Sequence, residues 1–387
     1  MTDQGAQQTS EEFRTEARAW LEANCPAEMR DADNSEESVC WGGRNWSFQS
    51  DAQKVWLDRM ASKGWNVPTW PVEFGGGGLT RDQEKILREE MASLGARVPL
   101  HGFGIGMLGP ALLKFGTEAQ KQLYLPPIAR GEIRWCQGYS EPGAGSDLAS
   151  VQTKAETVGD NYVINGQKIW TSYADKADWM FALVRTDRDA PKHRGITFLL
   201  LDMTSPGVST RPIRLISGRS PFCETFFDDV EVPRTQIVGE ENRGWDVAKY
   251  VLTHERAMIS GGRTGLTGGR PLASVLEGNS DPFLRAQAVG CDIDMMAMAL
   301  TLERYKDKAK AGSIGDASSM LKYYGTELNK RRFELMMAAA GADALEWNGP
   351  CGSLPTDWLR TKANSIEGGT SEIMLSVIAK RVLEMPS

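Results

Sequence analysis

The sequence predicts an α+β fold in which a β domain lies between two helical regions. Apolar residues recur at helical spacing over the first third of the chain, and that spacing returns after Gly244. Between these regions, strand-like runs and turn signals occupy about 133–237. At 387 residues the chain is too long for one ordinary core. We therefore predict an N-terminal helical domain (1–132), a central β domain (133–240) and a C-terminal helical domain (241–387).

The N-terminal region contains several helix signals. The segment Ser10-Glu11-Glu12-Phe13 precedes apolar residues spaced along one helix face. Further helices are expected at 53–62, at 81–95 and between Gly109 and Arg130. The intervening 65–78, rich in Trp, Pro and Gly, is incompatible with regular helix.

The central region has the features of a sheet. The dipeptide Asn165-Gly166 lies between two apolar runs and predicts a hairpin with a type I′ turn. The run 196–201 predicts a buried strand, and 224–232 predicts another that ends at Pro233.

The C-terminal region is predicted to consist of helices. Ser280-Asp281-Pro282 is a typical helix start, with a capping residue before a proline of the first turn. Helical spacing then covers about 282–311, 317–342 and 371–384.

The bulk composition argues against several classes of protein. The net charge is -7 and no lysine or arginine run stands out, which disfavours a nucleic-acid partner or a membrane-surface patch. The six cysteines are scattered without a CxxC pair, and the chain has only three histidines, so we expect no disulfide framework and no metal centre. The start of the chain is polar, and no apolar run is long enough to span a bilayer. A cytoplasmic location fits best.

The sharpest local signal is the glycine-containing segment 139–147, Tyr-Ser-Glu-Pro-Gly-Ala-Gly-Ser-Asp. Small residues bring backbone N–H groups close to a ligand, and the Ser146 hydroxyl can bind it. A simple connection between the helical domain and the sheet explains the same composition about equally well.

The segment 139–147 and four further segments resemble motifs of the acyl-CoA dehydrogenase family, and together the resemblance covers nearly the whole chain. They are Gly-Gln-Lys-Ile-Trp-Thr-Ser at 166–172, Phe-Phe-Asp-Asp-Val-Glu-Val-Pro at 226–233, His-Glu-Arg at 254–256 and Gly-Gly-Thr-Ser-Glu at 368–372. The resemblance implies that the C-terminal domain is a four-helix bundle. It also implies bound FAD, an acyl-CoA substrate and assembly as a tetramer.

The resemblance assigns cofactor contacts to particular residues. Trp170 would pack on the flavin, whereas taken alone it reads as a core aromatic of the sheet. Ser172 would bind the reactive edge of the flavin, and Ser146 would touch both cofactor and CoA. The remaining residues that would line FAD are Gln137, Tyr139, Ser140, Thr370 and Glu372.

Glu255 is the candidate catalytic base, since abstraction of an α-proton requires a carboxylate in a water-poor pocket. It continues the apolar stripe of Val247 and Val251 at helical spacing, and it precedes Arg256, as in one branch of the family. The other branch places the base at the position of Gly368, one residue after Glu367. An ion pair or a solvated edge is the alternative role for Glu255. Arg243 and Arg256 are candidates for binding the CoA phosphates.

Two features depart from the family pattern. An Arg-x-x-Phe-Gly segment, which relatives use to hold the FAD phosphates of a neighbouring subunit, is absent from 270–285, and the usual glycine turn is replaced by Ala-Ala-Gly-Ala-Asp at 339–343. These departures resemble bacterial subunits that act on dicarboxylic, cyclic or steroid-derived acyl-CoAs. Some of those subunits assemble with a different chain, so a homotetramer or a heterotetramer with a sister subunit is expected.

The resemblance predicts FAD-dependent α,β-dehydrogenation of an acyl-CoA, with electrons passed to an electron-transfer flavoprotein. Two alternatives stay open at this point. One is a flavin oxidase or monooxygenase on the same fold, and the other is a non-catalytic subunit of a heteromeric dehydrogenase.

Overall fold

The structure is a computed structural model that describes residues 9–262, 271–276, 279–310, 318–347 and 349–386. Within these ranges the side chains of 255–262, 274–275, 306–310 and 318 lie outside the description. The contacts divide the chain into two compact units. The first comprises Met1–Ala144, Leu148–Arg211 and Phe222–Val251, and the second comprises Gly145–Asp147, Pro212–Pro221 and Leu252–Ser387.

The N-terminal region is helical, as predicted. Thr9 caps the first helix, and its hydroxyl and the Glu12 carboxylate form a capping box. The single helix expected between Gly109 and Arg130 is two helices, because the chain turns extended at Gly116 and Thr117 caps a new start. The helices are α1 (Ser10–Asn24), α2 (Asp51–Ser62), α3 (Arg81–Leu94), α4 (Gly109–Phe115) and α5 (Glu118–Ala129).

Helices α1 and α3 pack through an apolar face and an ionic lock. Phe13, Ala17 and Leu21 of α1 are buried in one cluster with Leu87 of α3. Beside this cluster, the nearly buried Glu90 carboxylate binds two α1 guanidinium groups, Arg14 at 2.5 Å and Arg18 at 2.7 Å. The two cations neutralise a carboxylate that would otherwise be costly to remove from water.

The central region forms one seven-stranded sheet. Strand β3 pairs antiparallel with β7 over most of its length and with β2 on its other side, while β4 lies parallel to β1 and antiparallel to β5. The buried strand expected at 196–201 is β5, and the strand expected to end at Pro233 is β7. The strands are β1 (Trp135–Gly138), β2 (Lys154–Val158), β3 (Asn161–Ser172), β4 (Trp179–Arg185), β5 (Ile196–Asp202), β6 (Val208–Ile213) and β7 (Phe222–Pro233).

The prediction of a hairpin turn at Asn165-Gly166 was wrong. These residues lie inside the continuous strand β3, and the hairpin turn joins β2 to β3 at Gly159-Asp160. Asn165 exchanges hydrogen bonds with Asp229 of β7, its amide donating to the carboxylate and its side-chain oxygen accepting the Asp229 N–H. The register shifts between Ile164 and Gly166, so the dipeptide marks a bulge instead of a turn.

The C-terminal region contains the predicted long helices. The expected helices at 282–311 and 317–342 are confirmed as α8 and α9. The one expected at 371–384 is a shorter α-helix that continues as a π-helix over Ile378–Val382. Gly341, in the altered glycine segment, adopts a left-handed φ of 59° at the end of α9. The helices are α6 (Gly244–Gly262), α7 (Leu272–Val275), α8 (Pro282–Lys310), α9 (Ser318–Ala340), α10 (Leu354–Thr361) and α11 (Ser371–Val377).

Neither a membrane span nor a metal cluster is found within the described ranges. No helix there is both long and apolar enough to cross a bilayer. No group of three or more His, Cys, Asp or Glu side chains there is placed to hold a metal ion.

Gly166 should be intolerant of any side chain. Its φ is 150°, and a Cβ atom would lie 2.8 Å from the Thr153 Cα atom. We expect Gly166→Ala to lower the free energy of unfolding by at least about 2 kcal/mol, because backbone strain and overlap add. Chemical denaturation followed by circular dichroism measures this.

Gly159→Ala is the matched control, since Gly159 also has a positive φ of 59° but open space around its Cα. It should lose only about 1 kcal/mol, the cost of a left-handed alanine. Equal losses for the two variants would show that the bulge has room for a side chain.

Candidate active site

The structure brings two of the singled-out segments together in the first unit. Strand β1 carries Gln137, and the chain continues through Tyr139 and Ser140 into the glycine-containing loop. The Ser140 carbonyl accepts the Ile169 N–H of β3 at 2.9 Å. This bond holds the predicted flavin-lining residues of the loop beside Trp170 and Ser172 at the end of β3.

A buried ion pair fixes the same two segments. The Lys168 ammonium group, with no exposed surface, donates to the Glu141 carboxylate at 2.7 Å. It also donates to the carbonyls of Leu183 at 2.7 Å and Tyr139 at 3.2 Å. Because an ammonium group has three donors, its capacity is filled.

The Glu141 carboxylate is equally well satisfied. It accepts the backbone N–H groups of Gln152 at 2.6 Å and Thr153 at 2.9 Å in addition to Lys168. Burial by itself would raise the pKa of Glu141, but the Lys168 charge and these hydrogen bonds hold it below its ordinary value. Burial lowers the pKa of Lys168, and the Glu141 charge opposes that shift.

Trp170 is not a core aromatic. Its φ is 60°, in the left-handed region that a bulky residue rarely adopts, and the β3–β7 register shifts between Lys168 and Thr171. This bulge turns the indole outward, where it is 53% exposed and packs edge-to-face with Phe222, 6.0 Å between ring centroids. The strained backbone therefore presents an aromatic surface beside Ser172.

The glycine-containing loop leaves space for a ligand. A Cβ atom added at Gly143 or Gly145 would have nothing within 4 Å, and Ser146 is exposed. In the first unit, at the end of β4, basic side chains line a cavity of about 130 Å³. Its lining residues are Ser150, Gln152, Arg185, Arg188, Ala190 and Lys192.

In the second unit, a buried lysine organises the segment that contains Thr370. The Lys322 ammonium group donates to the carbonyls of Gly369 at 2.6 Å and Asn364 at 3.0 Å. Gly368 and Gly369 both have positive φ values, of 63° and 96°. Thr370 then caps α11 with its hydroxyl on the Ile373 N–H.

Glu372 and Glu367 lie on either side of this turn in sequence. Glu372 is exposed in the first turn of α11, where backbone and Thr370 hydrogen bonds lower its pKa. Glu367 accepts from the Arg360 guanidinium at 2.7 Å and from the Asn364 amide at 2.9 Å. Both oxygens of Glu367 are therefore occupied.

The helix predicted to carry the base is present as α6. Val247 and Val251, which begin the predicted apolar stripe, are buried. The side chains of Glu255 and Arg256 lie outside the described residues. Arg243, at the start of α6, donates from two nitrogens to Asp246, at 2.7 and 3.0 Å.

Three family models match the chain in sequence. They are the acyl-CoA dehydrogenase N-terminal domain over residues 7–132, the middle domain over 136–230 and the C-terminal domain over 242–383. The chain belongs to the acyl-CoA dehydrogenase family.

Individual members of this family are similar over nearly their full length. Acyl-CoA dehydrogenase IpdE1 of Mycobacterium tuberculosis is 36% identical, with 98% of each chain covered. The solved structure of the Tcur3481-Tcur3483 steroid ACAD superposes with a TM-score of 0.77 at 30% identity, covering 98% of this chain and 99% of that one. A chain of the ChsE4-ChsE5 complex of M. tuberculosis gives a TM-score of 0.71 at 29% identity, covering 100% of this chain and 100% of the matched chain. The chain is therefore an oxidoreductase of the acyl-CoA dehydrogenase family.

Sequence reasoning missed the charged groups that hold the site segments of this acyl-CoA dehydrogenase. Lys168 has the same strand parity as the buried Tyr162 and Ile164, so alternation could have identified it as an inward lysine. Nothing in the sequence pairs it with Glu141, which lies 27 positions earlier. Lys322 is a second buried lysine, and its partners are carbonyls that no sequence pattern marks.

Removing Lys168 should leave the Glu141 charge buried without its partner. We expect Lys168→Met to lower the free energy of unfolding by about 3–5 kcal/mol, whereas Lys168→Met with Glu141→Gln should lose clearly less. Denaturation of the four proteins of this double-mutant cycle gives the coupling energy.

Lys154→Met is the control, since that lysine forms an ion pair with Glu156 at the surface. This substitution should change the free energy of unfolding by less than about 1 kcal/mol. The folded-state pKa of Glu141 lies below its unfolded value. Its contribution to the free energy of unfolding is therefore present above about pH 4.3 and is lost as pH falls through the folded pKa. If the stability of the wild type fell with acid no more steeply than that of Glu141→Gln, the buried ion pair would be contradicted.

Proposed function

We propose that the protein catalyses FAD-dependent α,β-dehydrogenation of an acyl-CoA to the 2-enoyl-CoA and passes the electrons to an electron-transfer flavoprotein. The observation that carries this proposal is the exposed Trp170 ring on a left-handed bulge beside Ser172. Strain of this kind persists where the surrounding structure holds it, and it is common at ligand sites. Membership of the acyl-CoA dehydrogenase family supports the same reaction.

The residues at the ends of β1 and β3 offer groups that fit a flavin. Trp170 offers an exposed aromatic surface, and the half-buried Ser140 and Ser172 offer hydroxyl groups on the same part of the first unit. We propose that Gln137 and Tyr139 line the flavin beside them. On the family resemblance, we also propose Thr370 and Glu372 as cofactor contacts and Ser146 as a contact to both cofactor and CoA.

FAD, when bound, accepts the hydride that leaves the Cβ atom of the acyl group. The chain must supply the base for the α-proton, and we propose Glu255 on α6 for this role. Supporting it, the apolar stripe that precedes Glu255 is buried at Val247 and Val251. Glu367 is unsuited, because its oxygens are held by Arg360 and Asn364. The left-handed φ of Gly368 also favours glycine over a residue with a carboxylate.

The phosphates of CoA require cationic partners. We propose the cavity at the end of β4, where Arg188 and Lys192 bring positive charge near the helical turn Leu148–Ser150 that follows the Ser146 loop. Arg185 stabilises the backbone around this cavity, since its guanidinium donates to four backbone carbonyls. Arg256 stays a candidate. Arg243 would have to leave Asp246 to bind a phosphate.

We propose a ring-containing, steroid-derived acyl group as the substrate class. One of the similar solved structures is a steroid ACAD that shares 30% of the sequence over nearly the whole chain.

We further propose that the enzyme works as an assembly with a sister subunit. Two of the similar structures are complexes of two different chains. The outer face of α8 carries an apolar stripe, at i, i+4, i+7 and i+11, that the described residues leave exposed by 48–67%. The stripe consists of Val289, Ile293, Met296 and Leu300. Such a stripe on a helix indicates association with another chain.

Replacing the base tests the reaction directly. Glu255→Gln should still bind FAD and acyl-CoA, yet reduce the flavin at least about a hundredfold more slowly, because general-base catalysis contributes about 10² to 10⁴ in rate. Anaerobic stopped-flow absorbance of the purified assembly, mixed with a panel of acyl-CoAs, measures flavin reduction.

Glu367→Gln is the matched control and should retain nearly the wild-type reduction rate. If Glu367→Gln abolishes reduction and Glu255→Gln does not, the base lies in the C-terminal segment. Failure of every acyl-CoA to reduce the wild-type flavin would refute the dehydrogenase proposal. Fast reoxidation of the reduced flavin by oxygen would instead favour the oxidase reading.

The α8 stripe should control assembly. Ile293→Glu and Val289→Glu each place a charge in an apolar contact, so we expect the assembly to dissociate, as measured by analytical ultracentrifugation. Val158→Glu, at a valine 60% exposed on β2, is the control and should leave the sedimentation coefficient unchanged. Unchanged assembly in the α8 variants would show that another surface makes the contact.

A further inference from the structure

The first unit holds an arginine inside an aromatic cage. The Arg134 guanidinium lies 4.7 Å from the ring centroid of Trp41 and 5.0 Å from that of Tyr173. The Trp41 ring also meets His101, at 4.7 Å, and Phe103, at 6.4 Å. Gly43 makes room for Arg134, because its φ is 111° and an added Cβ atom would lie 2.9 Å from the Arg134 Cβ atom. The cage thus joins a loop of the N-terminal region to the end of β3.

Arg134 is buried without a hydrogen-bonding partner for its guanidinium. The residue is only 6% exposed. Its backbone N–H binds the Asp178 carboxylate at 2.7 Å, but among the described residues no hydrogen bond or ion pair reaches the guanidinium nitrogens. A guanidinium has five N–H donors, and none of the Arg134 nitrogens is among the fully enclosed unpaired atoms, so a ligand oxygen can reach them. The two rings stabilise the charge but accept no hydrogen bond in the guanidinium plane.

The charges around the cage favour a neutral acceptor over an anion. Glu36, Asp175 and Asp178 all contribute negative potential at Arg134. One oxygen of Asp178, Oδ2, accepts the backbone N–H groups of both Arg134 and Arg44. The Lys176 ammonium group lies 5.7 Å from the centroid of the Tyr173 ring. Three carboxylates near one guanidinium repel a further carboxylate, whereas a carbonyl or hydroxyl oxygen can accept its N–H groups without that penalty.

The cage lies next in sequence to the residues proposed to line the flavin. Tyr173 directly follows Ser172, the residue proposed for the reactive edge of the flavin. Arg134 precedes Gln137 by three residues, which is roughly 10 Å along an extended strand. An oxygen bound to Arg134 would therefore sit on the far part of the acyl group, away from Cα and Cβ.

We propose that Arg134 is a specificity-determining residue that hydrogen-bonds a neutral oxygen, a ring ketone or hydroxyl, on an acyl skeleton packed against Trp41 and Tyr173. This inference rests on the proposed dehydrogenation of acyl-CoA and narrows its substrate class. A site built to donate to an oxygen discriminates strongly against an analogue that lacks it, because its buried donors are then left unpaired.

The test compares three CoA thioesters that differ at one position. They are 3-(4-oxocyclohexyl)propanoyl-CoA, the unsubstituted 3-cyclohexylpropanoyl-CoA and 3-(4-carboxycyclohexyl)propanoyl-CoA. Calorimetry gives the Kd of each for the purified assembly, and an artificial electron acceptor gives kcat and KM. The wild type should bind the oxo compound at least about tenfold more tightly than the unsubstituted one, and the carboxylate should bind no better than the unsubstituted compound.

Two variants assign the preference to Arg134. Arg134→Gln should abolish the tenfold gap by raising Kd and KM for the oxo compound alone, with little change in kcat. Arg44→Gln is the matched control, since that arginine is paired with Asp202 outside the cage, and it should keep the gap. If Arg134 has only a structural role, Arg134→Gln will lower thermal stability and raise the Kd of all three compounds together.

The wild-type comparison decides the matter even if Arg134→Gln does not fold. Equal binding of the oxo and unsubstituted compounds, or binding of neither, overturns the inference, and a preference for the carboxylate overturns the neutral acceptor. If 3-cyclohexylpropanoyl-CoA reduces the flavin but the oxo compound binds no more tightly, the proposed dehydrogenation is supported and the proposed role of Arg134 is refuted. A tenfold oxo preference without reduction by any acyl-CoA would support the Arg134 site and refute dehydrogenation.

Discussion

The contact between Lys168 and Glu141 is the constraint on which the candidate site of the first unit depends. Removing both charges from water costs several kcal/mol each, and only filled hydrogen-bond capacity offsets that cost. Here the capacity is filled, because Lys168 binds two carbonyls and Glu141 binds two backbone N–H groups besides each other. The bonds therefore specify where the loop after β1 lies relative to β3. A shift of either segment would leave a buried charge unpaired.

The same principle recurs in the second unit with a different partner set. Lys322 is 2% exposed and binds two backbone carbonyls on the segment that leads to Thr370. Glu327 joins this region to α11 by accepting from the Ser371 hydroxyl and from Lys330. Charged groups thus hold irregular segments that have no ladder of hydrogen bonds. Both of these segments carry residues proposed to contact the cofactor.

Trp170 shows what such rigid support permits. A tryptophan in the left-handed region is strained, and an exposed indole gives up the burial that would normally stabilise it. The strand tolerates both because Lys168, two residues earlier, is anchored, and because β7 pairs with β3 on both sides of the bulge. The orientation of the ring is therefore set by the sheet beneath it.

The sequence determined the α-β-α order, most helix positions and the family, because helical spacing, caps and local motifs are encoded by neighbouring residues. Ser10 marked the start of α1, and Asp281 with Pro282 marked that of α8. The tertiary structure decided what depends on distant partners. Asn165-Gly166 has the local chemistry of a turn, yet pairing with Asp229 makes it a bulge. Trp170 is exposed, Glu367 is occupied and Arg134 is caged for the same reason: each side chain meets its neighbours only after the chain has folded.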